Sequence, residues 1–384
     1  MKILITVNSY YPLTDGVQSV TQYLAEGLSN IGHEVIVVTA KHNIEKKEEI
    51  YHNITILRED VYVKHALYFG KKKQYIRTIK KLADDSEIMI NVCTQNPMTD
   101  LLLNELKNIP CKKVLYMHGM CDFRWSRNDF KTVLSFGHKI WNNIRWGYLY
   151  FYHKNNFHLY DKIIQIHKSE YGVRFMKEKY GIDCEIIENA AEDMFFEKEK
   201  KQRISILPNR YFIYVANYFE MKNQQFVLEA FYQSNINTET SMVFIGNKKT
   251  SYYDKLIQIK KDLDNKYGCR SVFFLENIER DKIPSYIANA ELYLMGSKVE
   301  KFPVSIVEAM ACGTPFISTD VGCVKYLPGG VIVNNEEEMA RKIEKLMLNS
   351  KLKQKLANEG ELYAYNNLRI DVKVKQLEGL LLNL

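Results

Sequence analysis

The chain has 384 residues, 46% hydrophobic and 26% charged, and carries a formal net charge of +7. That length is too great for one ordinary core and points to two domains of similar size. Its seven cysteines are scattered, odd in number and lack any C-x-x-C pair, which excludes a disulfide framework or a cysteine-based zinc site. No stretch approaches the roughly 18 apolar residues of a membrane span, so the expected setting is cytoplasmic.

Residues 2–8 (KILITVN) read as a short apolar strand ending in the polar turn SYYPLTDG. Val20, Leu24, Leu28 and Ile31 fall at helical spacing, and Gly32 closes the helix. His33 to Thr39 is a second strand. This strand–helix–strand order is a βαβ unit, with Asp15 and Gly16 at a helix start that would face a bound phosphate. Further strands are expected at Ile54–Leu57, Glu87–Val92 and Lys113–Met117. A basic helix covers Lys71–Leu82, and another is expected near Met98–Leu106. His118 follows the Lys113–Met117 strand directly, on the functional edge of a parallel sheet.

Residues 61–180 hold 21 Lys and Arg against 10 Asp and Glu, a local excess of +11 that exceeds the whole-chain value. All three tryptophans, Trp125, Trp141 and Trp146, lie in the stretch from Cys121 to Phe157. Ile140, Ile144 and Tyr148 share one helical face, and Leu149 and Tyr152 extend it. Ile144 and Leu149 read as core positions. Phe123 to Trp125, the Lys71–Lys73 run and part of the Cys121–Phe157 stretch fit an anionic lipid surface, since Trp and Tyr favour the headgroup zone. Asp161–His167 and Cys184–Glu188 complete the first domain, residues 1–195, and the polar stretch 196–209 is the expected linker.

From Tyr211 the alternation restarts. Strands are expected at Tyr211–Ala216, Ser241–Gly246, Ser271–Leu275 and Asn289–Ser297, with helices at Asn223–Gln233, Tyr252–Lys266 and Lys282–Ala288 between them. Such alternation over 210–370 is a second doubly wound parallel sheet. Lys222 lies at a strand-to-helix junction, where a point charge suits a phosphate.

The stretch EKFPVSIVEAMACGTP, Glu300 to Pro315, joins the Asn289–Ser297 strand to a strand at Pro315–Ser318. Pro303 suits the first turn of a helix that Gly313 and Pro315 end. The amides of Val304, Ser305 and Ile306 would point into the crevice and favour an anion. Glu300 and Glu308 bracket that position. From Pro303 to Glu308 a helix rises roughly 7.5 Å, a span that suits a diphosphate between two hydroxyl-gripping carboxylates. After Val331–Val333 come helices at Glu336–Leu348 and from Lys351 onward.

Glu300 to Pro315 resembles the E-x7-E signature of retaining GT-B glycosyltransferases of the family-4 type (glycosyltransferase group 1), including the A-M-A-C-G-T-P that follows. The opening segment resembles that family's Y-P-x-x-x-G-G and G-H-E-V, with Asp15-Gly16-Val17 in place of the double glycine. VANYFEMKNQ resembles its V-G-R-L-x-x-x-K-N; Lys222 matches the lysine and Asn217 stands where the arginine is. Lys301 replaces a glycine beside the donor sugar, and Lys301 and Lys325 are the cations available to compensate for Asn217. Asn189-Ala190-Ala191-Glu192 stands where the family has N-G-V-D. Asp320-Val321-Gly322 matches a loop that continues here with Cys323 and Tyr326.

The resemblance implies an α/β GT-B fold, two Rossmann-like doubly wound domains facing across a cleft. The first would bind the acceptor, the second a UDP- or GDP-sugar, and a last helix, 371–384, would cross back to the first. It implies a metal-independent, retaining hexosyltransferase with no cofactor beyond its nucleotide-sugar substrate. His118, Lys222 and Glu300 would act on the reacting sugar. Asp15, Gly16, Asn217, Lys222, Lys301, Phe302, Pro303, Val304, Ser305 and Glu308 would line the donor. A saccharide or lipid-linked acceptor in surface polysaccharide or glycoconjugate assembly fits, at the inner face of the cell membrane, with no nucleic acid partner. Two other readings are a catalytically silent GT-B partner subunit, favoured by Asn217 and Tyr326, and a sugar-nucleotide epimerase.

Overall fold

Runs such as ILITV and EVIVVTA are apolar on both faces, which suits strands covered by helices on either side. A computed structural model of the chain describes all residues except 14–15, 65–66, 126, 131, 198–203 and 205–206, and of 127 and 128 the backbone alone. The chain divides into two units. One comprises Met1–Glu188 with Lys373–Leu384, the other Asn189–Val372.

The first unit holds an eight-stranded sheet in the order Glu185–Ile186, Lys162–Gln165, Lys112–Met117, Ile88–Val92, Lys2–Val7, Glu34–Ala40, Ile54–Glu59 and Glu48–Tyr51. Every pairing is parallel except the last, where Glu49 lies opposite Ile56 at the antiparallel edge. Leu4, Val38, Ile79, Met89, Leu115 and Ile163 belong to its core. The second unit holds six parallel strands in the order Val272–Glu276, Ser241–Gly246, Tyr211–Val215, Leu292–Met295, Phe316–Thr319 and Gly330–Val333. That is the doubly wound order in which the winding reverses between Tyr211–Val215 and Leu292–Met295, the place where such sheets bind ligands.

Several details depart from the sequence reading. Where a helix is expected near 98–106, only Pro97–Asp100 is α-helical, capped by Asn96 (2.9 Å to the Met98 amide). Beyond it the chain tightens into i→i+3 turns such as Glu105 to Leu102 (2.8 Å), in a stretch where Asn104, Asn108 and Pro110 are poor helix formers. A hairpin of Val61–Lys64 and Leu67–Gly70 and the edge strand Glu48–Tyr51 were not legible.

The division falls at Glu188, before the expected 195. Ala191 donates to the Leu368 carbonyl (2.9 Å) and Asn189 Nδ2 to that of Phe302 (3.0 Å), fastening this stretch to the second unit. Most of the expected linker 196–209 lies outside the described residues. The last helix, Ile370–Leu382, carries Gln376, whose side chain donates to the Ile186 carbonyl (2.8 Å) within the first unit.

The helix Val133–Tyr152 begins with a Thr132 and Ser135 capping box. Leu149 packs partly buried against the core, but Ile144, read as a core position, is 62% exposed. Phe123 is half-buried against Tyr150 and Phe175, whereas Trp125 is exposed. Among the described residues no helix is long and apolar enough to cross a membrane.

Candidate active site

In the second unit the strands Tyr211–Val215 and Leu292–Met295 both deliver their carboxyl ends to the point where the winding reverses. A tight turn follows the first: Phe219 donates to the Asn217 carbonyl (2.9 Å) and Lys222 to that of Phe219 (2.8 Å). Asn223 then takes a left-handed conformation (φ 50°), and its side chain donates to the Gly296 carbonyl (3.1 Å). A Cβ at Gly296 would lie 2.8 Å from the Asn223 carbonyl oxygen, so glycine lets the two loops meet.

That meeting brings Lys222 Nζ to 2.7 Å from Glu300 Oε1, and Ser297 Oγ donates to the same oxygen (2.8 Å). The Tyr214 hydroxyl donates to the Lys222 carbonyl (2.7 Å) and lies 2.8 Å from Ser297 Oγ, so one buried ring braces both partners. The Lys222 side chain is 35% and the Glu300 side chain 13% exposed, so the pair adds little to stability. Its value is position: one cation and one carboxylate held together at the sheet's ligand edge.

Next to Glu300, Gly322 adopts φ +54°, and a Cβ there would lie 2.2 Å from the Lys301 carbonyl oxygen. Cys323 donates its amide to that same oxygen (3.1 Å), so the loop after Phe316–Thr319 supports the loop that carries Glu300.

The helix runs from Val304 to Ala311, with Pro303 extended (ψ 111°) as its cap rather than its first residue. The Ile306 amide, expected to face a ligand, donates to the Pro303 carbonyl (3.1 Å). Val304 and Ser305 keep the helix-terminal positions whose amides have no partner in the turn behind them. Phe302 and Pro303 are buried beneath the helix start.

Glu308 is 3% exposed, and its Oε1 accepts from Arg280. The same guanidinium donates twice to Glu192 (2.7 and 2.9 Å) and covers the Phe195 ring at 4.6 Å. Burial raises the Glu308 carboxyl above its ordinary range, and Arg280 opposes that rise. The sequence predicts a hydroxyl-gripping acid at Glu308; the fold buries it with a cation already on it. Sequence reading missed Arg280, because in ERDK it looks like one more solvated charge. Glu192, in the Asn189–Glu192 stretch, was its only faint signal.

Asn217 Oδ1 accepts from the Asn247 amide (3.1 Å), so it braces the neighbouring strand end. It borders a hollow of about 40 Å³ that Lys248 also lines. Of the cations considered for compensation, Lys325 is paired with Asp320 (3.1 Å), while Lys301 is half-buried. Lys248, not singled out from the sequence, lines the same hollow as Asn217.

In the first unit His118 follows Lys112–Met117, is half-buried, and stacks on Tyr116 at 5.1 Å between ring centres. It lines an apolar hollow with Ile5, Leu24, Ile90 and Leu377. Gly16 opens the helix Gly16–Asn30, with nothing within 4 Å of where a Cβ would stand. Asp15 lies outside the described residues.

Residues 195–363 match the family described as Glycosyl transferases group 1. With its two doubly wound sheets the chain has the GT-B fold, and the group 1 match lies within its second unit. It is 25% identical to an alpha-monoglucosyldiacylglycerol synthase of Acholeplasma laidlawii, over 100% of this chain and 97% of that one. It is 22% identical to an N-acetyl-alpha-D-glucosaminyl L-malate synthase of Bacillus anthracis, over 84% and 80%. Among solved structures, sucrose-phosphate synthase from Thermosynechococcus elongatus superimposes with a TM-score of 0.74 at 14% identity, covering 99% of this chain and 98% of that one. Anabaena HepE in complex with UDP does so with 0.72 at 16%, covering 100% of both.

Proposed function

We propose that the protein is a retaining, metal-independent hexosyltransferase that moves a sugar from a UDP- or GDP-sugar to a saccharide or lipid-linked acceptor. The observation that carries this reading is the Lys222–Glu300 pair at the reversal point of the second sheet, beside the start of the Val304–Ala311 helix. The diphosphate rests against the Val304 and Ser305 amides, with Lys222 at its leaving oxygen. Glu300 grips hydroxyls of the transferred sugar, and Glu308, fixed by Arg280, takes the ribose. Asn217, Lys301, Phe302 and Pro303 frame the donor, and His118, Gly16 and Asp15 (the last outside the described residues) are the first unit's candidates for binding it.

As the bond from the sugar's anomeric carbon to the diphosphate breaks, the electron pair leaves with the phosphate oxygen. The acceptor hydroxyl attacks on the face just vacated, and its proton passes to that oxygen. Lys222 and the helix amides meet the charge that develops there, so no metal or cofactor is required on this reading. The basic first unit binds the acceptor. A lipid-linked acceptor in surface polysaccharide or glycoconjugate assembly, at the cytoplasmic face of a membrane, agrees with one relative being named for a diacylglycerol glycoside.

Titration calorimetry with UDP and GDP, followed by transfer from the matching sugar nucleotide, tests the proposal. Glu300→Gln is expected to keep nucleotide binding and lower turnover by about 10²–10³-fold. Folded protein that binds neither nucleotide would instead indicate a silent partner subunit, and sugar conversion without any acceptor an epimerase.

A further inference from the structure

The Val133–Tyr152 helix leaves nine large apolar side chains exposed, among them Ile140, Trp141, Ile144 and Tyr148; of its twenty residues only Tyr150 is buried. At about 100° per residue the nine fall within an arc of roughly 160° that otherwise holds only Gly137 and Gly147. The opposite face fastens the helix to the unit. Lys139 donates to the Asp122 carbonyl and Asn143 to that of Phe123 (3.1 Å), while Trp146 and Leu149 pack on the core. The helix is therefore held by a mixed polar and aromatic side and shows a wide apolar arc outward, an apolar surface that monomers in water rarely keep uncovered.

Charge decides what covers it. Between Asp129 and Asp161 the sequence has no Asp or Glu, but it has Lys139, Arg145 and Lys154. Arg145 stacks on Trp146 (4.0 Å) and lies 6.0 Å from the Tyr68 ring, which joins the helix to the Leu67–Gly70 strand. That strand exposes Leu67 and runs into Lys71, Lys72 and Lys73, all exposed. A wide apolar face with Trp and Tyr, continuous with cations and free of acids, suits the boundary of an anionic bilayer.

We propose that the Val133–Tyr152 helix is a membrane-docking element. It lies along an anionic lipid surface with its outward arc about 5–10 Å into the headgroup and acyl boundary and the nearby lysines over lipid phosphates. The inference extends the lipid-linked acceptor reading by naming the surface that meets the lipid, and its readout does not depend on turnover.

The test is sedimentation of the full chain with vesicles of phosphatidylcholine, with and without phosphatidylglycerol, at low and high salt. The protein is expected to sediment with the anionic vesicles and to be released by salt. Ile144→Glu with Tyr148→Glu, both at exposed positions, should keep the melting temperature and UDP affinity yet weaken vesicle binding by about a hundredfold. Wild-type protein left in the supernatant, or a double variant that sediments equally well, overturns the proposal. So does a wild-type dimer that the double variant splits, since a second copy then covers the arc. Vesicle binding without UDP binding would uphold the docking surface and defeat the glycosyl-transfer reading, so the two fail separately.

Discussion

Arg280 shows where reading single residues stops. Glu300 and Lys222 could be found because each lies at a strand-to-helix junction, a feature local in sequence, and the fold brings the two side chains to 2.7 Å. The partner of Glu308 lies 28 residues away, and no spacing rule points to it. Removing Arg280 takes from this buried carboxylate the cation that pairs with it among the described residues. The Glu308 carboxyl is already raised by burial, so it binds its proton more tightly folded than unfolded. Its stabilising contribution is therefore fully present below the ordinary carboxyl range and is lost as pH rises through the raised folded value. In Arg280→Met that value rises further. The variant is expected to lose roughly 1–3 kcal/mol above neutrality and distinctly less in mild acid, measured by urea unfolding across pH. Glu192 also faces the guanidinium, so adding Glu192→Gln separates its share. A destabilisation independent of pH would mean that Arg280 acts through packing on Phe195.

At the scale of elements, the regular parts were legible because burial on both faces of a parallel sheet writes itself as apolar runs, and helices as apolar spacing. Tyr211–Val215, Ser241–Gly246 and Glu336–Leu348 follow that logic closely. What escaped was set by tertiary partners. Glu48–Tyr51 is an edge strand with two glutamates, held in part because Glu49 pairs with the buried Arg58. The 61–70 hairpin, short and mixed in polarity, forms a two-stranded sheet of its own among the described residues. Gly322 lies between the two kinds: a loop motif visible in sequence whose reason is visible only in the fold. Gly322→Ala forces either strain at φ +54° or retreat of the Glu300–Lys301 backbone. Expected is a cost of about 1–2 kcal/mol in thermal unfolding and a loss of turnover larger than that implies, because the displaced backbone carries Glu300. Unchanged turnover would show that the Glu300 loop holds its place without this support.

For the molecule as a whole, alternation of strand and helix predicted two sheets, and it took the family resemblance, not composition, to place the last helix, 371–384, with the first domain. Lys373–Leu384 forms part of the first unit. Val374, Leu377 and Leu381 are each no more than 3% exposed, and Val374 fills the space above Gly27, where a Cβ would lie 2.2 Å from its methyl. Lys373, 4% exposed, meets Glu188 at 3.3 Å, and His33 meets Glu378 at 3.0 Å. Three buried aliphatic side chains at roughly 1.5–3 kcal/mol each supply roughly 5 kcal/mol or more, comparable to the entire stability of an ordinary domain. A chain ending at Val372 is therefore expected to lose the first unit's unfolding transition in calorimetry. It keeps the whole second unit, including Lys222, Glu300 and Glu308, so it should still bind UDP or GDP, weakened only by whatever share Asp15 and Gly16 of the first unit contribute. Two intact transitions in the truncated protein would show that the first unit does not need its distant last helix, and lost nucleotide affinity would show that the second unit cannot hold the donor alone.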